Sequence, residues 1–213
     1  MPDAIVVHLR SLPPSTIFLQ KNFESLINSF LENNVGVSDH FLTPVLLRQL
    51  KVNLEKLYAS DQMKRAGTGN TGAERGKLFR TDQIHWLDRK HEDEFENAFF
   101  DLMDEFIIHL NRTCYTGING YEFHYTLYPI GSSYKRHLDQ FQNNDSRKFS
   151  MIMYLNNGWK TEDGGELRIF QENYSLDISP TNGKIVFFKS SDLEHEVLKT
   201  NKARLSITGW LKS

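Results

Sequence analysis

The chain has 213 residues, a formal net charge of −2 and a pI near 6.4. This length suits one well-buried core, so we expect a single domain covering residues 1–213. The near-neutral charge offers no overall attraction to nucleic acid or to an anionic membrane, and no stretch approaches the roughly 20 apolar residues of a membrane span. Because the N-terminal residues carry only a short apolar run and Cys114 is the single cysteine, we expect a cytoplasmic protein without an intrachain disulfide, and no nucleic-acid or membrane partner.

Helical periodicity dominates the first half of the chain and predicts a helical support over about residues 15–112. The first helix is predicted over 15–34, with Ser15 or Thr16 as its N-cap. A short strand near 35–37 leads to a second helix over about 43–58, and a third begins near Glu92 with acidic residues in its first turn. The predicted inward residues are Phe18, Leu19, Phe23, Leu26, Ile27, Phe30 and Leu31 in the first helix and Leu46, Leu47, Leu50, Leu54 and Leu57 in the second.

Residues 61–82, between the second and third helices, form a long predicted connection with four glycines and an excess of basic side chains. A connection of this length in a compact domain is usually a functional lid or a segment without fixed structure. Both interpretations stay open here: a lid that closes over a site, or a solvated loop.

From Glu122 onward the pattern changes to short β-branched or aromatic segments separated by Gly, Asn, Asp and Pro. The predicted strands are FHYTLYPI, KFSMIMYLN, GELRIF, KIVFF, HEVL and RLSITGWL. Several short strands with regular turn signals favour a sandwich or jelly roll over about 120–213. We therefore predict a mainly β fold with supporting helices (α+β), in which N-terminal helices pack on a jelly-roll, cupin-like core.

An H-x-D pair, His137 and Asp139, is followed far along the chain by His195. Two imidazoles and one carboxylate on one face of a metal leave three positions open, as a non-haem Fe(II) oxygenase requires. A second H-x-D pair, His91 and Asp93, opens the acidic third helix, where side chains two apart point about 200° from each other. In a strand, residues i and i+2 share a face, so only the first pair is expected to chelate.

Arg204 follows His195 by nine residues, after the turn KTNKA. Hairpin pairing of the two strands is expected to return its guanidinium to the metal, where it would bind an anionic cosubstrate bidentately. The alternative is an exposed arginine on an edge strand.

The stretches LYPIGSSYKRHLDQF, MIMYLNNGW, GGELRIF, KIVFFKSSDLEHEV and RLSITGW resemble the 2-oxoglutarate- and Fe(II)-dependent prolyl hydroxylases, in particular those of hypoxia-inducible factor and their small bacterial relatives. The resemblance covers about residues 80–210 and implies a double-stranded β-helix core. It implies that His137, Asp139 and His195 bind iron and that Arg204 pairs with the distal carboxylate of 2-oxoglutarate. The remaining implied contacts of 2-oxoglutarate are Tyr154, Tyr128, Thr208, Ile152 and Leu167.

The same resemblance bears on the substrate. Trp210 matches a tryptophan of the prolyl hydroxylase branch at a position where nucleic-acid demethylases of the superfamily have a second arginine. Arg80 and Asp82, in FRTDQIHWLD, match a substrate-covering loop, and Arg136, beside the first iron ligand, completes the set of expected substrate contacts. The segment IGSSY departs from the glycine-rich sequence of the animal enzymes, which leaves the peptide substrate open.

The implied activity is hydroxylation of a prolyl residue at C4 in a protein or peptide, which consumes 2-oxoglutarate and O₂, yields succinate and CO₂ and uses ascorbate as reductant. An oxygen-sensing or translation-factor-modifying role would follow by family analogy. One alternative is the same chemistry on a free amino acid or other small molecule. Another is a cupin-like metal-binding sensor without turnover, which the pair Arg204 and Tyr154 disfavours because a simple sensor needs no dicarboxylate clamp.

Overall fold

The structure, a computed structural model, describes residues 14–67, 80–140 and 145–213, and the burial of side chains from residue 19. Its helices are α1 (Pro14–Asn33), α2 (Pro44–Ala59) and α3 (Glu94–Cys114), with single 3₁₀ turns at Arg89–His91 and Thr161–Asp163. The prediction of Ser15 or Thr16 as N-cap was wrong, because α1 begins earlier, at a proline whose fixed φ suits a first helical turn.

Side-chain caps set the start of the other two helices. The Thr43 hydroxyl accepts a 3.2 Å hydrogen bond from the Leu46 N–H at the start of α2. Asp93 caps α3 by accepting from the N–H groups of Phe95 and Glu96, so this helix begins two residues later than predicted.

Eleven strands in the described part of the chain form two antiparallel sheets. The larger, seven-stranded sheet has the order β1-β9-β6-β11-β4-β3-β2, and the smaller has the order β5-β10-β7-β8. The strands of the larger sheet are β1 (Val35–Ser38), β2 (Lys64–Arg65), β3 (Gln83–Trp86), β4 (Gly120–Tyr128), β6 (Arg147–Tyr154), β9 (Ile185–Lys189) and β11 (Arg204–Lys212). Those of the smaller sheet are β5 (Tyr134–His137), β7 (Leu167–Phe170), β8 (Ser175–Ile178) and β10 (His195–Val197).

The larger sheet lies between the helices and the smaller sheet. Successive side chains of its strands therefore point alternately to the helices and to the smaller sheet. On β6, Met151 and Met153 belong to the hydrophobic core that the larger sheet forms with the helices. Ile152 and Tyr154 belong to the core that it forms with the smaller sheet. The prediction of a jelly-roll core backed by helices is therefore confirmed. The predicted inward faces are confirmed for the buried residues Phe23, Leu26 and Ile27 of α1 and Leu46, Leu47, Leu50 and Leu54 of α2. The prediction for Leu31 was wrong, because it lies near the C-terminal end of α1 and is 65% exposed. The side chain of Phe18, also predicted to point inward, lies outside the described residues.

The segment 61–82 is described only at its two ends. Lys64 and Arg65 form β2, which pairs with β3, so the segment starts as an edge strand of the larger sheet. Residues 68–79, which carry most of the predicted lid, lie outside the described residues, and the lid stays a prediction. Within the described ranges no helix is long and apolar enough to cross a membrane.

Candidate metal centre and cosubstrate pocket

His137, Asp139 and His195 converge at one end of the sandwich. His195 on β10 lies directly opposite His137 on β5 in the strand register, and their ring centroids are 4.3 Å apart. The Nε2 of His137 is 3.5 Å from Asp139 Oδ1, and the Nε2 of His195 is 3.6 Å from Asp139 Oδ2. One ligand atom from each residue lies within 4.8 Å of the others, a spacing that suits a single ion.

Asp139 reaches this cluster in a way that the sequence pattern does not predict. Strand β5 ends at His137, and Asp139 lies in the bend that follows. The expectation that both residues project from one face of a strand was therefore wrong, although the two side chains do meet.

Hydrogen bonds orient both imidazoles for metal binding. The Nδ1 of His137 is 2.7 Å from the Lys135 carbonyl, and that of His195 is 3.2 Å from the Leu193 carbonyl. A carbonyl only accepts, so Nδ1 carries the hydrogen and Nε2 keeps the lone pair that a metal needs.

The charge states of His195 and Asp139 also suit a cation. Burial lowers the pKa of His195 to about 4, which keeps this imidazole neutral at physiological pH. Burial alone raises the pKa of Asp139, but the two histidines and the Ser150 hydroxyl outweigh it and hold that pKa well below its ordinary value. One carboxylate and two imidazoles form a donor set that fits Fe(II).

The second H-x-D pair has other partners. The Nδ1 of His91 lies 2.9 Å from the buried Glu96 carboxylate, and Asp93 caps α3 while accepting from Asn53. The expectation that the pair opens the third helix itself was wrong, because His91 ends a 3₁₀ turn and Asp93 is the N-cap of α3.

A cavity of about 260 Å³ extends from the three candidate ligands to Arg204. Four further candidates from the sequence, Tyr128, Ile152, Leu167 and Thr208, also line it, together with Arg80 and Trp210. The structure thus brings most of the predicted 2-oxoglutarate contacts and two of the predicted substrate contacts into one space.

Arg204 is 1% exposed, and its guanidinium is only partly satisfied. Its Nε donates a 2.8 Å hydrogen bond to the Gly165 carbonyl, whereas Nη2 has no hydrogen-bond partner within the described residues. The rings of Tyr128 and Tyr154 lie 5.1 and 4.9 Å from its Cζ. A buried guanidinium with a free N–H edge fits the distal carboxylate of 2-oxoglutarate.

The path by which Arg204 reaches the cavity corrects the hairpin prediction. Strand β10 pairs with β5 and β7, whereas β11 pairs with β4 and β6. The turn between them carries the chain from the smaller sheet to the larger one. Arg204 therefore faces the metal centre from the opposite sheet, not from a neighbouring strand.

Tyr154, Asp82 and Arg136 are not among the residues that line the cavity. Tyr154 is fully buried against Arg204, and its hydroxyl has no partner in the described part of the chain. Asp82 is buried and accepts two hydrogen bonds from Arg80, of 2.7 and 2.5 Å. Arg136 is exposed, donates to Glu194 and lies 3.9 Å over the Phe170 ring.

Nine residues that line the cavity were not among the predicted site residues, and four of them carry large aromatic or cationic side chains: Trp86, His124, Tyr134 and Arg147. The His124 ring lies 5.0 Å from that of Trp86 and 5.6 Å from that of Trp210, and the Arg147 guanidinium lies 3.4 Å over Trp210. Tyr134 stacks on the His137 ring at 3.6 Å. Alternation along β4 offered a signal for His124, which shares a face with Tyr128.

Comparison with known proteins agrees with this geometry. Residues 123–212 match the model of the 2OG-Fe(II) oxygenase superfamily. A prolyl-4-hydroxylase from Pseudomonas putida is 32% identical, with a TM-score of 0.80 over 89% of this chain and 98% of that one. A prolyl hydroxylase from Trichoplax adhaerens, solved with a peptide fragment of the hypoxia-inducible factor oxygen degradation domain, is 26% identical, with a TM-score of 0.81 over 92% of this chain and 93% of that one.

The Pseudomonas match spans nearly the whole of both chains, and the superfamily match contains most of the strands that build the site. The chain therefore belongs to the prolyl hydroxylase family of 2-oxoglutarate- and Fe(II)-dependent oxygenases and is a dioxygenase that uses Fe(II), 2-oxoglutarate and O₂.

Proposed function

We propose that this dioxygenase hydroxylates a prolyl residue of a polypeptide, with iron held by His137, Asp139 and His195 and 2-oxoglutarate held by Arg204. The observation that carries the proposal is the buried, half-satisfied guanidinium of Arg204 in the same cavity as the three ligands. A cation buried in this way is costly unless an anion pairs with it, and a dicarboxylate that also reaches the metal would do so.

Several residues around Arg204 are proposed to contact the cosubstrate, each in a different way. Tyr154, whose hydroxyl lies unpartnered beside Arg204, is proposed as a second donor to the same carboxylate after a small adjustment. Tyr128 and Thr208 supply polar walls, and Ile152 and Leu167 supply apolar ones that exclude water. When bound, iron and 2-oxoglutarate supply the oxidising chemistry, in which 2-oxoglutarate leaves as succinate and CO₂. Ascorbate stays the expected reductant.

An aromatic surface next to the metal centre supports a prolyl substrate. Trp86, His124 and Trp210 line the cavity, and Trp86 is 45% exposed, so this surface is open to solvent. Aromatic rings bind the apolar ring of proline well, as peptide-binding grooves for proline-rich segments illustrate. The Nε1 of Trp210 is buried without a partner in the described residues, which makes it a proposed donor to a peptide carbonyl.

The Trichoplax relative, solved with a peptide, adds support for a polypeptide over a small molecule. The proposed roles of the other three predicted substrate contacts, Arg80, Asp82 and Arg136, follow from their neighbours in the structure. Arg80 lines the cavity and is held by Asp82, so we propose Arg80 as the contact and Asp82 as its support. Arg136 lies outside the cavity and pairs with Glu194, so we propose that it contacts only residues that flank the target proline.

The test is incubation of the purified protein with Fe(II), 2-oxoglutarate, O₂ and a protein extract of its own host. We expect succinate to form and mass spectrometry to find prolyl residues that have gained one oxygen atom. Arg204→Ala protein in the same extract is the matched control. Succinate formation stimulated by free amino acids, with no prolyl oxidation, would favour the small-molecule alternative; metal binding without any turnover would favour the sensor.

A further inference from the structure

We infer that Ser150 and Ser190 are positioning residues that hold Asp139 as a one-oxygen ligand of the metal, an inference that rests on the metal centre proposed above. Both serines are fully buried, Ser150 on β6 and Ser190 directly after β9. The Ser150 hydroxyl lies 2.7 Å from Asp139 Oδ2 and 2.9 Å from the Ser190 hydroxyl.

The direction of these two hydrogen bonds follows from the atoms involved. An ionised carboxylate only accepts, and a hydroxyl has a single hydrogen to donate. Ser150 must therefore donate to Asp139, which leaves Ser190 as the donor to Ser150. The result is a directed chain from Ser190 through Ser150 to the carboxylate, and its last step is strengthened by the negative charge.

The main chain of Ser190 supports the same bend. Its carbonyl accepts a 3.2 Å hydrogen bond from the N–H of Gln140, the residue after Asp139, and its own N–H donates to the Lys148 carbonyl at 3.0 Å. Because Asp139 lies beyond the end of β5, no strand pairing fixes it. The serine pair attaches the bend to β6 through both the side chain and the backbone.

One consequence concerns the coordination positions of the metal. Ser150 uses one lone pair of Oδ2, which lies 3.6 Å from the Nε2 of His195, whereas Oδ1, 3.5 Å from the Nε2 of His137, keeps both of its lone pairs and is the oxygen that we infer for the ion. Without Ser150, both carboxylate oxygens are free to turn to the ion, and a second bound oxygen would take a position that the cosubstrate or O₂ requires. Hydrogen bonds that orient metal ligands commonly change metal affinity by about 10- to 100-fold.

The experiment is titration of Mn(II) into the metal-free full-length protein, with free Mn(II) followed by electron paramagnetic resonance. We expect Ser150→Ala to raise the Kd for Mn(II) by about 10- to 100-fold. Ser190→Ala should raise the Kd less, because the Ser150 hydroxyl is still present to donate to Asp139. Ser150→Thr keeps the hydroxyl and should restore a Kd close to that of the unchanged protein.

The matched control is Ser38→Ala. Ser38 is a buried serine on β1 of the same sheet, and its hydroxyl contacts the His40 N–H, away from the cavity. Its Kd for Mn(II) should equal that of the unchanged protein. The absorption bands of bound Co(II) give a second readout, because they report coordination number, and we expect them to change in Ser150→Ala and to stay unchanged in Ser38→Ala.

A folded Ser150→Ala protein with an unchanged Mn(II) Kd and Co(II) spectrum would overturn the inference. If that variant does not fold, an unchanged Kd in Ser190→Ala would do so. Asp139→Ala separates this outcome from failure of the metal centre itself. If Mn(II) binding is lost in Asp139→Ala but unchanged in the serine variants, only the role of the serines is refuted. If Mn(II) binding is also unchanged in Asp139→Ala, the metal centre itself is refuted.

Discussion

The Nε of Arg204 donates a 2.8 Å hydrogen bond to the main-chain carbonyl of Gly165, while Nη2 of the same guanidinium has no partner among the described residues. Gly165 has φ +70°, a conformation that L side chains rarely adopt, and a Cβ there would lie 3.2 Å from Arg204 Cδ. Gly165 thus fixes one edge of the guanidinium, and Nη2, on the other edge, is the atom that we propose for the cosubstrate carboxylate.

Replacement of Arg204 by alanine should weaken 2-oxoglutarate binding strongly. Removal of the partner of a buried carboxylate commonly costs about 2 to 5 kcal/mol, so the KM for 2-oxoglutarate should rise steeply. Tyr154→Phe removes one hydrogen bond to a charged group and should cost less, about 1.5 to 3 kcal/mol. Steady-state succinate production measures both, and Arg136→Ala, an exposed arginine outside the cavity, is the control. Equal KM values in Arg204→Ala and Arg136→Ala would place the anion site elsewhere.

Replacement of Gly165 by alanine should act on the same site through the backbone. A Cβ there would lie 3.0 Å from Thr200, so the loop and Arg204 must shift, and the KM for 2-oxoglutarate should rise. Gly158 is a matched control, since it has φ +60° and no atom within 4 Å of an added Cβ. Both alanine variants should lose about 1 to 2 kcal/mol of stability from backbone strain. Only Gly165→Ala should change KM; a parallel change in Gly158→Ala would mean that strain alone is responsible.

Replacement of His137 by alanine should abolish tight Fe(II) binding and turnover while the protein stays folded, because a ligand is lost from a set of three. The control is His91→Ala, which removes the histidine of the other H-x-D pair and leaves the cavity intact. Isothermal titration with Fe(II) under anaerobic conditions, with succinate production as a second readout, distinguishes the two variants. Retained turnover in His137→Ala would contradict the assignment. Co(II), Ni(II) and Zn(II) should each displace iron and inhibit.

The sequence predicted what depends on local pattern and missed what depends on strand order. The candidate ligand His137 was found from the H-x-D pattern, His195 because it starts a recognisable strand, and Arg204 from its position nine residues after His195. That β10 and β11 belong to different sheets could not be predicted, because nothing local in KTNKA distinguishes a hairpin from a connection between sheets. Strand β8 was missed although SLDI alternates polar and apolar residues, because it is only four residues long and contains aspartate, a residue that is depleted in strands.

Ser150 was missed for a different reason. It lies in the run KFSMIMY, which reads as a buried strand, and a serine in such a run carries no sign of its partner. Only the fold places Asp139 against it, since the bend after β5 is hydrogen-bonded to β6 through Ser150 and Arg147. A buried hydroxyl in an apolar strand needs a hydrogen-bond partner, and for Ser150 that partner is the carboxylate of Asp139.

Acidification should destabilise the metal-free protein in a defined window. Burial lowers the pKa of His124 and of His195 to about 4, with the charge of Arg80 adding to the effect at His124. Between about pH 6.5 and pH 4 the unfolded state binds protons that the folded state does not, so stability is full above this window and falls as the pH falls, by about 1.4 kcal/mol per pH unit for each histidine. In His124→Gln, the free energy of unfolding should depend less steeply on pH, by the equivalent of one bound proton. Urea unfolding measured across the window tests this. An identical slope in both proteins would show that His124 is protonated when folded.

Replacement of Trp86 by alanine should weaken substrate binding and leave cosubstrate turnover alone. Trp86 is 45% exposed at the cavity and meets the His124 ring edge-on at 5.0 Å, so its loss removes aromatic surface for a prolyl ring without opening the core. An aromatic contact of this kind contributes about 0.5 to 1.5 kcal/mol, which corresponds to a rise of about 2- to 10-fold in the KM for the polypeptide. Substrate-independent conversion of 2-oxoglutarate to succinate should not change. The ring contacts of Trp86 are with His124 and Trp210, and neither of these is a proposed ligand of iron or of 2-oxoglutarate. Tyr174→Ala, an aromatic residue 60% exposed in the turn between β7 and β8, is the control for loss of a surface ring. Equal effects of the two substitutions on the polypeptide KM would remove Trp86 from the substrate surface and favour a small substrate that binds deeper in the cavity.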